Sequence, residues 1–317
     1  MAKVGIIIPQ GWRLDLPDKE QYAQFEMIKS AVLEAEELGF HSIWFYDHFI
    51  TYPRVERRSC FEAWTVLSAF STLTSKIRLG TLVTCNMYRN PALLAKMASI
   101  VDVMSRGRLE MGVGAGWYEE DFIRYGYSLM KPWQRIKALD EALNIMKDMW
   151  SKGEATFEGK YYSVKNALNY PLPIQRPWPK ITIGGAGEKM MMKVIAKHAD
   201  RWNSSGSVEF MKERLQILKQ NCSNIGRSYD EIEKSYWGLV SVRKNRDEAM
   251  SRAKLMPTSS TWDNFLKRNA VGKPEDVAEF LNRYIDEGVD EFFVYIEDSL
   301  NLETMRLFAD EVIPKLH

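Results

Sequence analysis

Between Ile77 and Asp121 the chain reads IRLGTLVTCNMYRNPALLAKMASIVDVMSRGRLEMGVGAGWYEED, and few folds accommodate this stretch. Ile77–Val83 is a short apolar run rich in β-branched residues, which suits a strand buried on both faces. Pro91 suits the first turn of a helix, where its missing N–H costs nothing. Leu94, Met97, Ala98, Val101 and Met104 recur at three- and four-residue steps and line one helical face. Arg108–Val113 is a second strand, closed by Gly112, Gly114 and Gly116, residues that allow positive φ and close backbone approach. Strand, helix, strand and glycine turn together form a crossover between parallel strands. The glycines suit a ligand site or a tight turn alone.

The rest of the chain repeats this unit. Strands are expected at Val4–Ile8, Ser42–Tyr46, Ile77–Val83, Arg108–Val113, Lys180–Ile183, Asp200–Asn203, Ser235–Val242 and Glu291–Ile296. Helices fall at Glu20–Leu38, Cys60–Leu73, Pro91–Met104, Pro132–Trp150, from Gly184 through Lys197, Val208–Asn221, Arg246–Lys254, Pro274–Glu287 and Leu302–Val312. Alternating β and α elements imply a parallel sheet. Eight units favour a closed α/β architecture, the (β/α)8 TIM barrel, over an open doubly wound sheet. Such barrels commonly run to about 250 residues and longer with insertions, so residues 1–317 fit one domain. From 151 to 179 glycines, aromatics and four prolines break the helical rhythm. An insertion with a hairpin near Ala155–Val164 is expected there. Met256–Arg268 shows no clear pattern.

Charge and cysteines narrow the function class. Lys and Arg number 43 against 42 Asp and Glu, a formal net charge of +1. Without a basic run there is no electrostatic footprint for nucleic acid or an acidic membrane. Cys60, Cys85 and Cys222 are odd in number and widely spaced, and no CxxC occurs. This indicates neither a disulfide framework nor a zinc site. No HxxxH or HxH spacing argues for a metal. No apolar run approaches the roughly 20 residues that span a bilayer, and no leader pattern opens the chain. The expectation is a cytoplasmic protein acting on a small organic molecule.

In an α/β barrel the active site lies at the C-terminal ends of the strands. That rule selects Gln10 and Trp12 after strand one, Asp47 and His48 after strand two, and Thr84, Cys85 and Asn86 after strand three. It selects Ala115, Trp117, Glu119 and Glu120 after strand four, and the glycines from Gly184 after strand five. Ser204, Ser205, Arg243, Glu297 and Asp298 follow the later strands. His48, beside an acid, suits proton transfer near neutral pH or a hydrogen-bonded place in the barrel rim. Gly184-Gly185-Ala186-Gly187 before a helix suits a phosphate cradle or a turn. Cys85 is simplest as a small buried residue. Arg89, Arg106 and Arg108 suit pairing with acids or carbonyls.

Taken together, the segments GFHSIWFYDH, the 77–121 stretch, FEGKYYSVKNALNYPLPIQRPWPKITIGGAGEK and AKHADRWN resemble the bacterial-luciferase-like flavin and deazaflavin oxidoreductases. The third segment is most similar to the coenzyme F420-dependent subgroup. The resemblance implies a (β/α)8 barrel, coenzyme F420 with FMN as the alternative cofactor, and a homodimer. It implies hydride transfer with an organic substrate, or monooxygenation. It places Asp47 and His48 at the ring, with His48 as the proton-transfer candidate, and Leu82 and Val83 in a bulge joined by a non-prolyl cis peptide; Glu120, from the strand-end rule, is the further acid–base candidate. Thr84, Ala115 and Gly116 would flank the ring, and Gly184, Gly185, Ala186 and Gly187 would take the cofactor phosphate. One departure stands out: sugar-phosphate and alcohol dehydrogenases of the family carry Glu where this chain has Trp117. A non-catalytic relative, flavin-binding or cofactor-less, and a barrel hydrolase using Asp47, His48 and Glu120 are the competing readings.

Overall fold

Eight parallel strands close on themselves in the computed structural model, which describes residues 2–256 and 260–317. They are Lys3–Ile7, Ser42–Phe45, Arg78–Thr81, Leu109–Gly114, Ile181–Gly184, Arg201–Ser204, Glu233–Val242 and Glu291–Ile296. The first strand pairs with both the second and the eighth, from Lys3 opposite Glu291 to Ile6 opposite Val294. The seventh pairs with both the sixth and the eighth. No barrel strand is left as an edge. The strands are buried on both faces, as their continuous apolar character requires. This is the (β/α)8 barrel.

Inside it, Trp44 stacks obliquely on Phe293 with ring centroids 4.1 Å apart. Side chains at Gly5 or Gly80 would run into Trp44, so small residues in neighbouring strands make room for the indole. The opposite, N-terminal mouth is closed by charge. Arg201, fully buried, meets Glu110 at 2.8 Å, Glu291 at 2.8 Å and Glu233 at 2.9 Å. The outer layer of helices packs by its apolar stripes. Ala138, Leu139, Ala142, Leu143, Ile145, Met146, Met149 and Trp150 of helix Pro132–Lys152 are all in the core.

Several elements differ from expectation. The helix after the second strand starts at Ala63, because Glu62 accepts from Trp64 N and Thr65 N and so fixes the cap. Its aromatic face is core: Trp64, Leu67 and Phe70 are buried. The helix after the fifth strand starts only at Met191, leaving 185–190 as a turn. The hairpin in the insertion is longer than expected, pairing Glu154–Glu158 with Ser163–Leu168. A short helix, Glu119–Arg124, follows the fourth strand. In the unpatterned region a helix forms at Trp262–Leu266, and just beyond it a short strand at Ala270–Gly272; residues 257–259 lie outside the described residues.

Candidate active site

The third strand does not run straight. Gly80 sits opposite Glu110, yet the next pair along is Thr84 opposite Val113. Four steps on one strand match three on the other, so one extra residue is accommodated in a β-bulge. The peptide between Leu82 and Val83 is cis. Thr81 Oγ1 donates to the carbonyl of Gly112 at 2.9 Å and lies 2.7 Å from Thr84 Oγ1. Trp64 Nε1 donates to Thr84 Oγ1 at 3.0 Å. A Cβ at Gly112 would overlap the carbonyl oxygen of Thr81, so glycine is needed where the bulge presses on the fourth strand.

The bulge turns Leu82 and Val83 into a cavity of about 560 Å³ at the C-terminal mouth. Val83 is wedged between glycines. A Cβ at Gly114 would come within 2.8 Å of Val83 Cγ2, and one at Gly184 within 2.9 Å. The resulting floor is apolar and free of projecting side chains from the two glycine strands.

His48 stands on the cavity wall, and three neighbours hold it. Its Nδ1 lies 2.6 Å from Oδ2 of Asp121, which is fully buried. Its ring stacks on Trp12 at 4.2 Å and 4° between planes, and Trp12 stacks in turn on Tyr52. Trp117 meets it edge-on at 6.0 Å. Asp121 is itself fixed: Phe49 N donates to Oδ1 at 3.2 Å and Tyr88 Oη donates to Oδ2 at 3.1 Å. With Nδ1 engaged by a carboxylate, Nε2 is the ring nitrogen available to accept or donate a proton. Trp12 Nε1 and Tyr46 Oη, on residues of the same wall, are buried without a hydrogen-bond partner among the described residues. They fit a ligand oxygen.

Not every residue expected at the site lies on the cavity. Asp47 does, but its carboxylate is held by Arg89 at 2.7 and 2.9 Å and by Cys85 N at 3.0 Å. Arg89 reaches on to Glu62 at 2.6 Å. Asp47 thus ties the second and third strand ends together. Glu120 is a correction: it pairs with Arg124 on the exposed side of its helix, and Asp121 takes the inward place. Thr84 is buried beneath the bulge as one of its pins and does not line the cavity. Ala115 and Gly116 line it; Gly116 has φ +77°, and a side chain there would strike Cys85 and Phe122. Burial pushes the Cys85 thiol up to about 12, so it stays protonated near neutral pH.

Gly184 and Gly185 line the cavity, while Ala186 and Gly187 continue the turn at its mouth. Gly185 N is already donated to the carbonyl of Asn203 at 3.1 Å. The N–H groups of Ala186 and Gly187 make no hydrogen bond among the described residues. Among those residues no cluster of three or more His, Cys, Asp or Glu gathers as for a metal. No helix among them is long and apolar enough to cross a membrane.

With this geometry in hand, the similarities to known proteins can be placed. The sequence matches the luciferase-like monooxygenase family over residues 3–270. It is 31% identical over 166 residues to an uncharacterized protein of Mycobacterium tuberculosis, covering 52% of this chain and 57% of that protein. The alignment thus spans little more than half that relative's length. It is 24% identical over 321 residues to the F420-dependent glucose-6-phosphate dehydrogenase of Microbacterium testaceum, covering 94% of this chain and 95% of the other. Among solved structures, an F420-dependent secondary alcohol dehydrogenase holding an F420–acetone adduct superposes with a TM-score of 0.84. It covers 100% of this chain and 99% of the other at 20% identity, a likeness of fold.

Proposed function

This chain belongs to the luciferase-like monooxygenase family, and we propose that it is an oxidoreductase transferring hydride between coenzyme F420 and a small organic substrate. FMN is the alternative cofactor. The preference for F420 is supported by the names of the full-length dehydrogenase relatives. The observation that carries the reading is the buried Asp121–His48 pair on the wall of a cavity floored by Leu82 and Val83. The glycine-flanked, apolar floor fits a flat ring, since a Cβ at Gly114 or Gly184 would intrude through Val83.

When bound, the deazaflavin or flavin ring supplies the hydride exchange with the substrate carbon. The chain's own groups do the rest. Asp121 accepts from Nδ1–H and thereby keeps the lone pair of His48 on Nε2, where it takes the proton of an oxygen on the reacting carbon. Trp12 Nε1 and Tyr46 Oη offer hydrogen bonds to that ligand. Ala186 and Gly187 offer backbone N–H groups to the cofactor phosphate, with Gly184 and Gly185 leaving room for it. Asp47 and Arg89 brace the wall. The aromatic stack of Trp12, Tyr52 and Trp117 keeps water from the His48 ring.

The whole chain, 1–317, acts in this reading as one barrel unit, and as a homodimer. The aromatics of helix Ala63–Leu73 are core and do not supply the pairing face. The outer side of helix Pro91–Met104 instead exposes Leu93, Ile100, Val103 and Met104. Monomer mass by light scattering at micromolar concentration would remove the dimer.

The cofactor assignment is tested by titrating the purified protein with F420 and with FMN and following fluorescence quenching. Tighter F420 binding is expected. Equal or tighter FMN binding would overturn the preference, and no binding of either would overturn the reading.

A further inference from the structure

A second cavity, of about 620 Å³, lies beside the first on the same mouth of the barrel. Four segments far apart in sequence build it: the loop after the first strand, the 53–58 loop, the end of helix Arg246–Ala253, and the end of the eighth strand. Of the twelve described residues that line it, five are Arg or Lys and two are acids. Arg13 lines both cavities, so the two adjoin.

The cations are not all neutralised from within. Arg252 pairs with Asp298 at 3.2 Å and Glu297 at 3.7 Å, and Arg54 pairs with Glu56. Arg58 donates to the carbonyl of Leu16, a neutral group. Lys254 lies over the Trp262 ring at 5.7 Å and has no carboxylate partner among the described residues. Of the two acids, Glu297 is taken up by Arg243 and Arg252, and Asp15 lies close enough to Arg13 to offset part of its charge while accepting from Gly11 N at 2.7 Å and Tyr295 Oη at 3.0 Å. A concave site with surplus positive charge, set against low-dielectric walls, concentrates anions.

Its position says which anion. The glycine turn proposed for the cofactor phosphate follows the fifth strand, across the barrel from the first and eighth strands that border the basic cavity. A ligand reaching it from the redox cavity approaches past Arg13, on the side of Trp12 and His48. Resting on the oxidoreductase reading above, we propose that this cavity binds the anionic end of the substrate, a carboxylate or phosphate monoester, while its reacting carbon lies beside His48. The substrate is therefore a small organic acid or ester of phosphoric acid, and neither a neutral alcohol nor an alkane.

The test uses inorganic phosphate and succinate as probes, titrated by calorimetry into the full-length protein. Wild type, Lys254→Glu, Arg58→Gln and Gly185→Val are compared, with F420 and FMN affinities measured on the same preparations. Lys254 and Arg58 are exposed, so both variants are expected to fold. At least one anion should bind wild type, weaken with added salt, and lose about tenfold or more in Lys254→Glu, the effect of losing one charge-assisted contact. Binding of phosphate alone identifies a phosphate ester; binding of succinate alone identifies a carboxylate. Cofactor affinity should stay within about threefold in the Lys254 and Arg58 variants. If neither anion binds, or if binding survives Lys254→Glu and Arg58→Gln but is lost in Gly185→Val, the proposal falls. Failure of the cofactor reading is seen separately, as anion binding retained by a wild-type protein that binds neither F420 nor FMN.

Discussion

Replacing Asp121 by Asn keeps the shape of the side chain and removes its charge, and its contacts dictate the consequence. Oδ1 accepts from Phe49 N, while Oδ2 faces His48 Nδ1 and Tyr88 Oη. In Asn the backbone donor of Phe49 retains the amide oxygen, so the NH2 group falls opposite Nδ1. Nδ1 must then accept, and the ring proton moves to Nε2, the wrong nitrogen for a base. A positioned acid–base group contributes about 10²–10⁴-fold to rate, or about 3–5 kcal/mol at 1.36 kcal/mol per decade. The stability cost is smaller. A charge-assisted bond of about 1.5–3 kcal/mol becomes a neutral one of about 0.5–1.5 kcal/mol, which lowers Tm by a few degrees. The assay is cofactor oxidation or reduction from pH 5 to 9, with cofactor Kd on the same variant and 15N spectra of the histidine rings. The expected result is kcat down 10²–10⁴-fold, Kd within about threefold, and the His48 ring signals exchanged. Adding the change to His48→Ala should cost little more, since the pair acts as a unit. An exchanged tautomer with kcat and pH profile intact would refute the assignment of proton transfer to His48.

Three further outcomes follow from the barrel's construction. Arg201→Met removes the buried cation shared by Glu110, Glu291 and Glu233 and, among the described residues, leaves them only Arg78, His41, and Lys3 with Lys180, respectively; it should cost about 3–5 kcal/mol and lower Tm by roughly 5–15 °C in a melting scan. Burial would raise the Glu233 carboxyl, but Arg201, Lys180 and Lys3 outweigh it and hold it at about 2. Its folded value lies below its unfolded one of about 4.3, so its stabilisation is present above that pH and lost as pH falls through about 2; Glu233→Gln should flatten the acid limb of denaturant stability measured between pH 5 and 2. Gly184→Ala places a methyl against Val83 and can be relieved only by pushing Val83 into the cavity; cofactor affinity should fall about tenfold or more with a smaller change in Tm, and a lowered Tm with intact affinity would separate the floor from the cofactor site.

The barrel was legible because its signals are local and repeated: apolar runs a few residues long, helical stripes between them, and glycines where strands end. His48 was legible for the same reason, since a strand end in a closed parallel barrel faces the mouth. Its partner was not. The run Glu119-Glu120-Asp121 offers three carboxylates, and only helical phase decides which turns inward. Phe122 beside Asp121 and Tyr118 one turn before it are buried, and they mark the inward side that separates Asp121 from Glu120. The basic cavity left no local trace at all, because Arg13, Arg58 and Lys254 meet only when the first and eighth strands close the barrel.

The bulge shows why site residues are harder to read than the fold that carries them. Side chains alternate along a strand, so one added residue moves every later side chain to the other face. Continuing the expected Ile77–Val83 strand regularly by one residue sends Thr84 to the cavity. The extra residue between Gly80 and Thr84 reverses that: Leu82 and Val83 reach the cavity, and Thr84 turns under the bulge to meet Thr81 and Trp64. Nothing in LGTLVT alone requires the insertion. What requires it lies on the neighbouring strand, where Gly112 leaves room for the Thr81 carbonyl and Gly114 leaves room for Val83. The glycines of the fourth strand thus serve the floor of the cavity before they serve any turn. A single Cβ at Gly112 would deny the third strand its bulge and return Leu82 and Val83 to an ordinary register, closing the place where the ring is proposed to lie.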